Sequence, residues 1–128
     1  MSVTSLAVIV ATIEQALAGL EAESGWQPNA LLAGTLVRRR HSLRLLRHAL
    51  TDADIVALRS LSAPARRRAL APGDLGGLLL GEERLAAMLD GWIEILRPTH
   101  PHRSLALHLR AETDDAARVL RMMISPGK

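Results

Sequence analysis

Apolar residues recur along this chain at helical spacing, every three or four positions, and turn residues divide them into segments. Leu6, Ile9, Ile13, Leu17 and Leu20 form one stripe, which predicts a first helix over residues 4–23 with Gly25 as its terminator. After Trp26 and Gln27, Pro28 or Asn29 opens a long second helix reaching about Leu50. Thr51 and Asp54 stand at capping-box spacing and open a third helix through Ile55, Leu58 and Leu61. Ser62-Ala63-Pro64 is expected to break it, residues 65–70 to form a further short turn, and Pro72-Gly73-Asp74 to stop the segment.

The stretch Asp74-Leu-Gly-Gly-Leu-Leu-Leu-Gly81 reads equally as a loop or a weak helical turn. The clearest stripe follows: Leu85, Met88, Leu89, Trp92, Ile93 and Leu96 share a face over residues 82–97. Glu82 and Glu83 are placed at its N-terminus and Arg97 at its C-terminus, which suits the helix dipole. Residues 98–102 hold two prolines and read as a loop. Leu105, Leu107 and Leu109 alternate as in a strand, but no partner strand exists and Leu and Ala prefer helix, so residues 104–110 are read as helical. Thr113, Asp114 and Asp115 are expected to cap a last helix through Val119, Leu120, Met123 and Ile124. The prediction is an all-α fold, a compact bundle of four to five helices.

Composition agrees. The chain has 128 residues, enough for one domain with a real core, taken as residues 1–128. Leu and Ala dominate an apolar share of 48%, which rules out a disordered chain; Phe and Tyr are absent and Trp numbers two. With no Cys there are no disulfides or thiolate metal sites, which fits a reducing cytosol. No charge-free run approaches the roughly 20 apolar residues of a membrane span, and no positively charged leader precedes the apolar N-terminus. The expectation is a cytoplasmic protein with no membrane partner.

Charge changes the picture. Nine of the fifteen arginines lie within residues 38–68, where Asp52 and Asp54 are the only acids, so this stretch carries +7 in a chain of net charge +3. On a helical wheel, Leu32, Leu36, Leu43, Leu46 and Leu50 fall within about 80°. Arg40, Arg44, Arg47, His41 and His48 lie beside and opposite that stripe, with Val37 and Leu45 among them. A solvated surface face is one reading. An anionic partner is the other, since stability alone usually brings alternating signs at i, i+4 spacing. Arg39 falls inside the leucine stripe; it must pair with a buried acid, Glu14, Glu21 and Glu23 being candidates, or face a groove. Arg66, Arg67 and Arg68 follow Pro64 and extend the basic tract.

The near absence of aromatics excludes base-stacking recognition, leaving contact between Arg and a nucleic-acid backbone. About five single-strand phosphate contacts correspond to a salt slope near −3.5, at roughly −0.7 each. Such a small domain works best inside a larger assembly, where linked contacts add avidity.

Other motifs point elsewhere. Arg103-Ser104-x-x-x-His108 matches the R-polar-x3-H pattern of HEPN ribonucleases, and Arg97 to His102 gives a second match; the composition yields about two by chance. His100, His102 and His108 lack the companions of a metal shell. The glycines from 73 to 81 lack the Lys-Ser/Thr of a phosphate loop. No catalytic, metal or cofactor site is identified, so the chain is read as non-enzymatic, without cofactors.

A short, Arg-rich helical chain of this kind resembles the small helical subunits of CRISPR effector ribonucleoproteins, in size, fold class and the basic stretch of residues 38–68. The resemblance implies a non-enzymatic subunit that contacts an RNA or single-stranded DNA backbone in antiviral defence. Its contact set is Arg38, Arg39, Arg40, Arg44, Arg47, Arg66, Arg67 and Arg68, and its other partners are subunits of the assembly, copies of itself among them. The alternatives are a helical adaptor or chaperone docking an acidic protein, and a HEPN-like ribonuclease.

Overall fold

The computed structural model describes residues 6–67 and 74–124, with side chains other than those of residues 62–67. The described residues form five helices and no strand: α1 (Leu6–Trp26), α2 (Ala30–His48), α3 (Asp52–Arg67), α4 (Leu75–Ile95) and α5 (Arg103–Ile124). No helix among them is long and apolar enough to cross a membrane.

Local chemistry sets most of the boundaries. Asn29 caps α2, its side chain accepting from Leu31 N at 2.9 Å and Leu32 N at 3.1 Å. The expected capping box forms reciprocally: Asp54 N donates to Thr51 Oγ1 (3.2 Å), and Thr51 N donates to Asp54 Oδ2 (3.0 Å). Asp74 decides the Gly-rich stretch. Its carboxylate accepts from Gly77 N at 3.0 Å, so residues 75–81 are the opening turns of α4 rather than a loop. A Cβ on Gly77 would lie 2.5 Å from that carboxylate, so a larger residue there would make the cap shift.

Several expectations are corrected. Helix α1 runs through Gly25 to Trp26, because a glycine lowers helix propensity without forbidding it. Helix α3 stays helical past Pro64 to Arg67 instead of breaking at Ser62; an interior proline costs a hydrogen bond and need not end the helix. Residues 68–73, and with them the expected stop at Pro72 and Gly73, lie outside the described residues. The segment of residues 104–110 is helical, as read, but it joins the last helix in one continuous α5. Thr113 therefore caps nothing: its buried hydroxyl donates to the Leu109 carbonyl one turn back, at 2.8 Å.

Four helices close a ring. α1 packs on α2 and α4, α5 closes between α2 and α4, and α3 packs on α1 alone. Glu14–Arg47 and Glu21–Arg40 run in opposite order along α1 and α2, as Asp90–Arg110 and Glu83–Arg121 do along α4 and α5. Gly19 meets Leu78, while Thr12 and Gln15 line a groove with Gly81 and Arg84, so α1 and α4 are antiparallel too. Helices α2 and α4 thus run the same way on one diagonal. The chain must return between them, and α3, about 24 Å long at 1.5 Å per residue, makes that crossover along α1.

The core is leucine-rich, as the stripes predict. Ile9, Ile13, Leu17 and Leu20 of α1 meet Leu32, Leu36, Leu43 and Leu46 of α2 and Leu85, Leu89, Trp92 and Leu96 of the α4 segment, with Leu109 and Leu120 from α5. Trp26, by contrast, is 65% exposed.

Candidate anion-binding face

The fold gives the arginines of α2 three different roles. Arg39 sits at the centre of the buried side, 2% exposed, and grips Glu82 of α4, itself 1% exposed. Its Nη1 donates to Glu82 Oε2 at 2.7 Å and its Nη2 to Oε1 at 2.5 Å, a bidentate pair spanning the diagonal of the ring. Arg39 is thereby removed from the expected contact set. Its partner is none of the three acids of α1: Glu14 and Glu21 are engaged elsewhere, and Glu23 is buried on α1.

Arg40 and Arg47 lie on the flank facing α1. Arg47 Nη2 pairs with Glu14 at 3.0 Å and Arg40 Nε with Glu21 at 3.5 Å, both arginines remaining about half exposed. The positive run that has no acid of its own is therefore relieved across the α1–α2 seam. Such exposed pairs are worth about 0–1 kcal/mol each and stay open to exchange of partner.

The third group points outward. Arg38, His41, Arg44 and His48 are exposed and form no ion pair with the described residues. His41, Arg44 and His48 follow i, i+3, i+7 spacing, one ridge about 10 Å long, with Arg38 on its α5 flank. Val37 (65% exposed) and Leu45 (45% exposed) lie among them. The remaining expected contacts, Arg68 and the side chains of Arg66 and Arg67, lie outside the described residues; Arg59 of α3 is exposed as well.

A second polar contact lies deeper on the α5 side. Ser42, fully buried on α2, donates to Glu112 Oε1 at 2.7 Å, and His108 Nε2 stands 3.5 Å from the same oxygen at the surface. Ser, Glu and His are adjacent here, but the hydroxyl is sealed in the core and touches the carboxylate rather than the imidazole, so it is not arranged as a nucleophile. Arg103 is also committed. Its Nη1 donates to the Ile93 and Leu96 carbonyls at 3.1 and 2.9 Å, capping the end of α4. Five positions along one helix set His108 about 140° around from it, so the two do not converge within one chain. His100 accepts from His102 N at 3.0 Å within its turn, with the rings 5.0 Å apart. No group of three metal-ligating side chains occurs among the described residues.

Two grooves of about 260 Å³ flank α4. The one against α5 is lined by ion pairs: Arg110 holds Asp90 and Asp114, whose hydrogen bonds raise its pKa above the ordinary arginine value.

Glu82 and the Ser42–Glu112 contact are not read from the sequence. The signal for Glu82 is its phase: once α4 begins at Leu75, Glu82 falls between Leu78 and Leu85 on the buried face. An acid inside one leucine stripe answers the arginine inside another. Comparison with family models, with curated proteins and with solved structures finds no match to this chain, so its own geometry carries the functional argument.

Proposed function

We propose that the protein is a non-enzymatic subunit of a larger ribonucleoprotein and contacts an RNA or single-stranded DNA backbone through the outward ridge of α2. The observation that carries this is the division of the basic helix: every α2 arginine that reaches an acid is paired with one, while Arg38, His41, Arg44 and His48 share the side where no acid answers them. Unpaired cations on one face are suited to phosphates, which they bind by releasing condensed counterions. Arg40 and Arg47 sit at the margin, able to trade a surface carboxylate for a phosphate. The resemblance to small CRISPR effector subunits belongs to this reading and adds an assembly in which a weak contact gains avidity.

The test is binding of RNA and single-stranded DNA across a salt series, for the protein alone and with its copurifying partners. Replacing Arg38 and Arg44 together by Ala removes two contacts and should flatten the log–log salt slope by about 1.4, from roughly 0.7 per phosphate. Absent or salt-independent binding in both settings refutes the proposal.

Val37 and Leu45 support a second reading, an adaptor docking an acidic protein. Exposed aliphatic side chains between cations gain nothing from a phosphate backbone but would bury against an amphipathic partner. Copurification of a nucleic-acid-free protein complex, seen in the ratio of absorbance at 260 and 280 nm, would favour it.

A further inference from the structure

We infer that the outward face of α2 is a pH-graded anion site, whose number of phosphate contacts rises as His41 and His48 acquire protons; this rests on the nucleic-acid reading above. Half of the unpaired basic positions on the face are imidazoles, and they bracket Arg44 along one ridge. Imidazole is the side chain that ordinarily changes charge between about pH 5 and 8. The ridge therefore joins one fixed charge, Arg44, to two ionisable imidazoles, with the fixed charge of Arg38 on its flank.

The surroundings leave both imidazoles free for this role. On α1, the acids facing α2 are Glu14 and Glu21, held by Arg47 and Arg40. On α5, Glu112 faces α2 from the core, bound by Ser42 and overlain by its own neighbour His108, while Asp115 is paired with Arg118. In the first turn of α3, Asp54 is tied to Thr51, and Asp52 stands at the start of the helix. His41 and His48 make no ion pair with any of these. Successive phosphates laid along His41, Arg44 and His48 are then the partners that gain most from their protonation. By linkage, proton uptake and phosphate binding must strengthen one another.

The face also separates two jobs that one residue type could not perform. Arginine keeps its charge at every relevant pH and secures a basal contact. Histidine adds contacts on acidification, so pH sets the strength and the salt sensitivity of binding together. The exposure of both histidines means that replacing them leaves the core untouched.

The experiment measures binding of a mixed-sequence single-stranded RNA to the full chain over a salt series at about pH 8 and about pH 5.5. The expected result is binding about tenfold tighter at the lower pH, with a log–log salt slope steeper by about 1.4, two added contacts at roughly 0.7 each. The double variant His41→Asn/His48→Asn should hold the shallow slope at both values, and His41→Arg/His48→Arg the steep one at both. Binding with the same slope at both pH values in the wild type overturns the inference and leaves the nucleic-acid reading standing. So does a pH effect that survives in the Asn variant, which would belong to His100, His102 or His108. Absence of binding at either pH, in the Arg variant as well and with the copurifying partners present, overturns both.

Discussion

Arg39 costs the protein desolvation that only Glu82 offsets. Two charges taken this far from water lose several kcal/mol each, and the bidentate geometry at 2.7 and 2.5 Å returns it only while both partners remain. Arg39→Met should therefore destabilise the fold by about 3–5 kcal/mol in denaturant unfolding by stranding the carboxylate, whereas Arg39→Met with Glu82→Leu should recover most of that loss. Additive losses in the double variant would mean that the two groups are not coupled. A residue that grips nucleic acid would behave differently, losing affinity with stability unchanged. Glu112 is another buried acid of the ring: Ser42 satisfies one oxygen, and the second finds no hydrogen-bond partner among the described residues. Ser42→Ala should then cost about 1–3 kcal/mol, read by the same unfolding measurement, because it removes the one hydrogen bond buried with that carboxylate.

Among the elements, α1 and α4 are in tight contact where Gly19 faces Leu78. A Cβ on Gly19 would come within 2.5 Å of Leu78 Cδ2, and Leu78 is a core side chain with little room to move. Gly19→Ala should lower stability by about 1–3 kcal/mol despite its better helix propensity, and pairing it with Leu78→Val should give back part of the loss. A stabilised Gly19→Ala protein would show that the helices can part without penalty. The helix α3 is held differently. It packs on α1 alone, and of its apolar face Leu58 is only partly buried, while Ile55 and Leu61 are 38% and 37% exposed. Its amides should exchange with solvent through a cheaper opening than those of the core turns of α2, α4 and α5, which hydrogen-exchange mass spectrometry resolves peptide by peptide. Equal protection across all five helices would contradict this.

At the scale of the molecule, the ring converts a run of like charges into a graded object: a core ion pair, a neutralised seam and an open ridge. Net charge does not reveal this division, because it depends on which neighbour each side of α2 meets. The proposed partner would meet two arginines and two histidines with two aliphatic side chains between them, a smaller surface than a tally of the basic stretch implies.

The amino-acid sequence by itself determines the helices, their leucine faces and the capping at Asn29 and Thr51, since these follow from interactions within a few residues. It also marks Arg39 as anomalous. It leaves the start of α4 open and divides α5, because Gly77 serves a cap that only Asp74 reveals, and Thr113 is a residue equally at home capping a helix or bonding one turn back within it. The partner of Arg39 lies 43 positions away on a helix that makes no backbone contact with α2, so no local pattern names it. Only the tertiary arrangement decides which arginines are paired and which are free. A helix's own period defines its faces, but the charge each face meets comes from the helices packed against it.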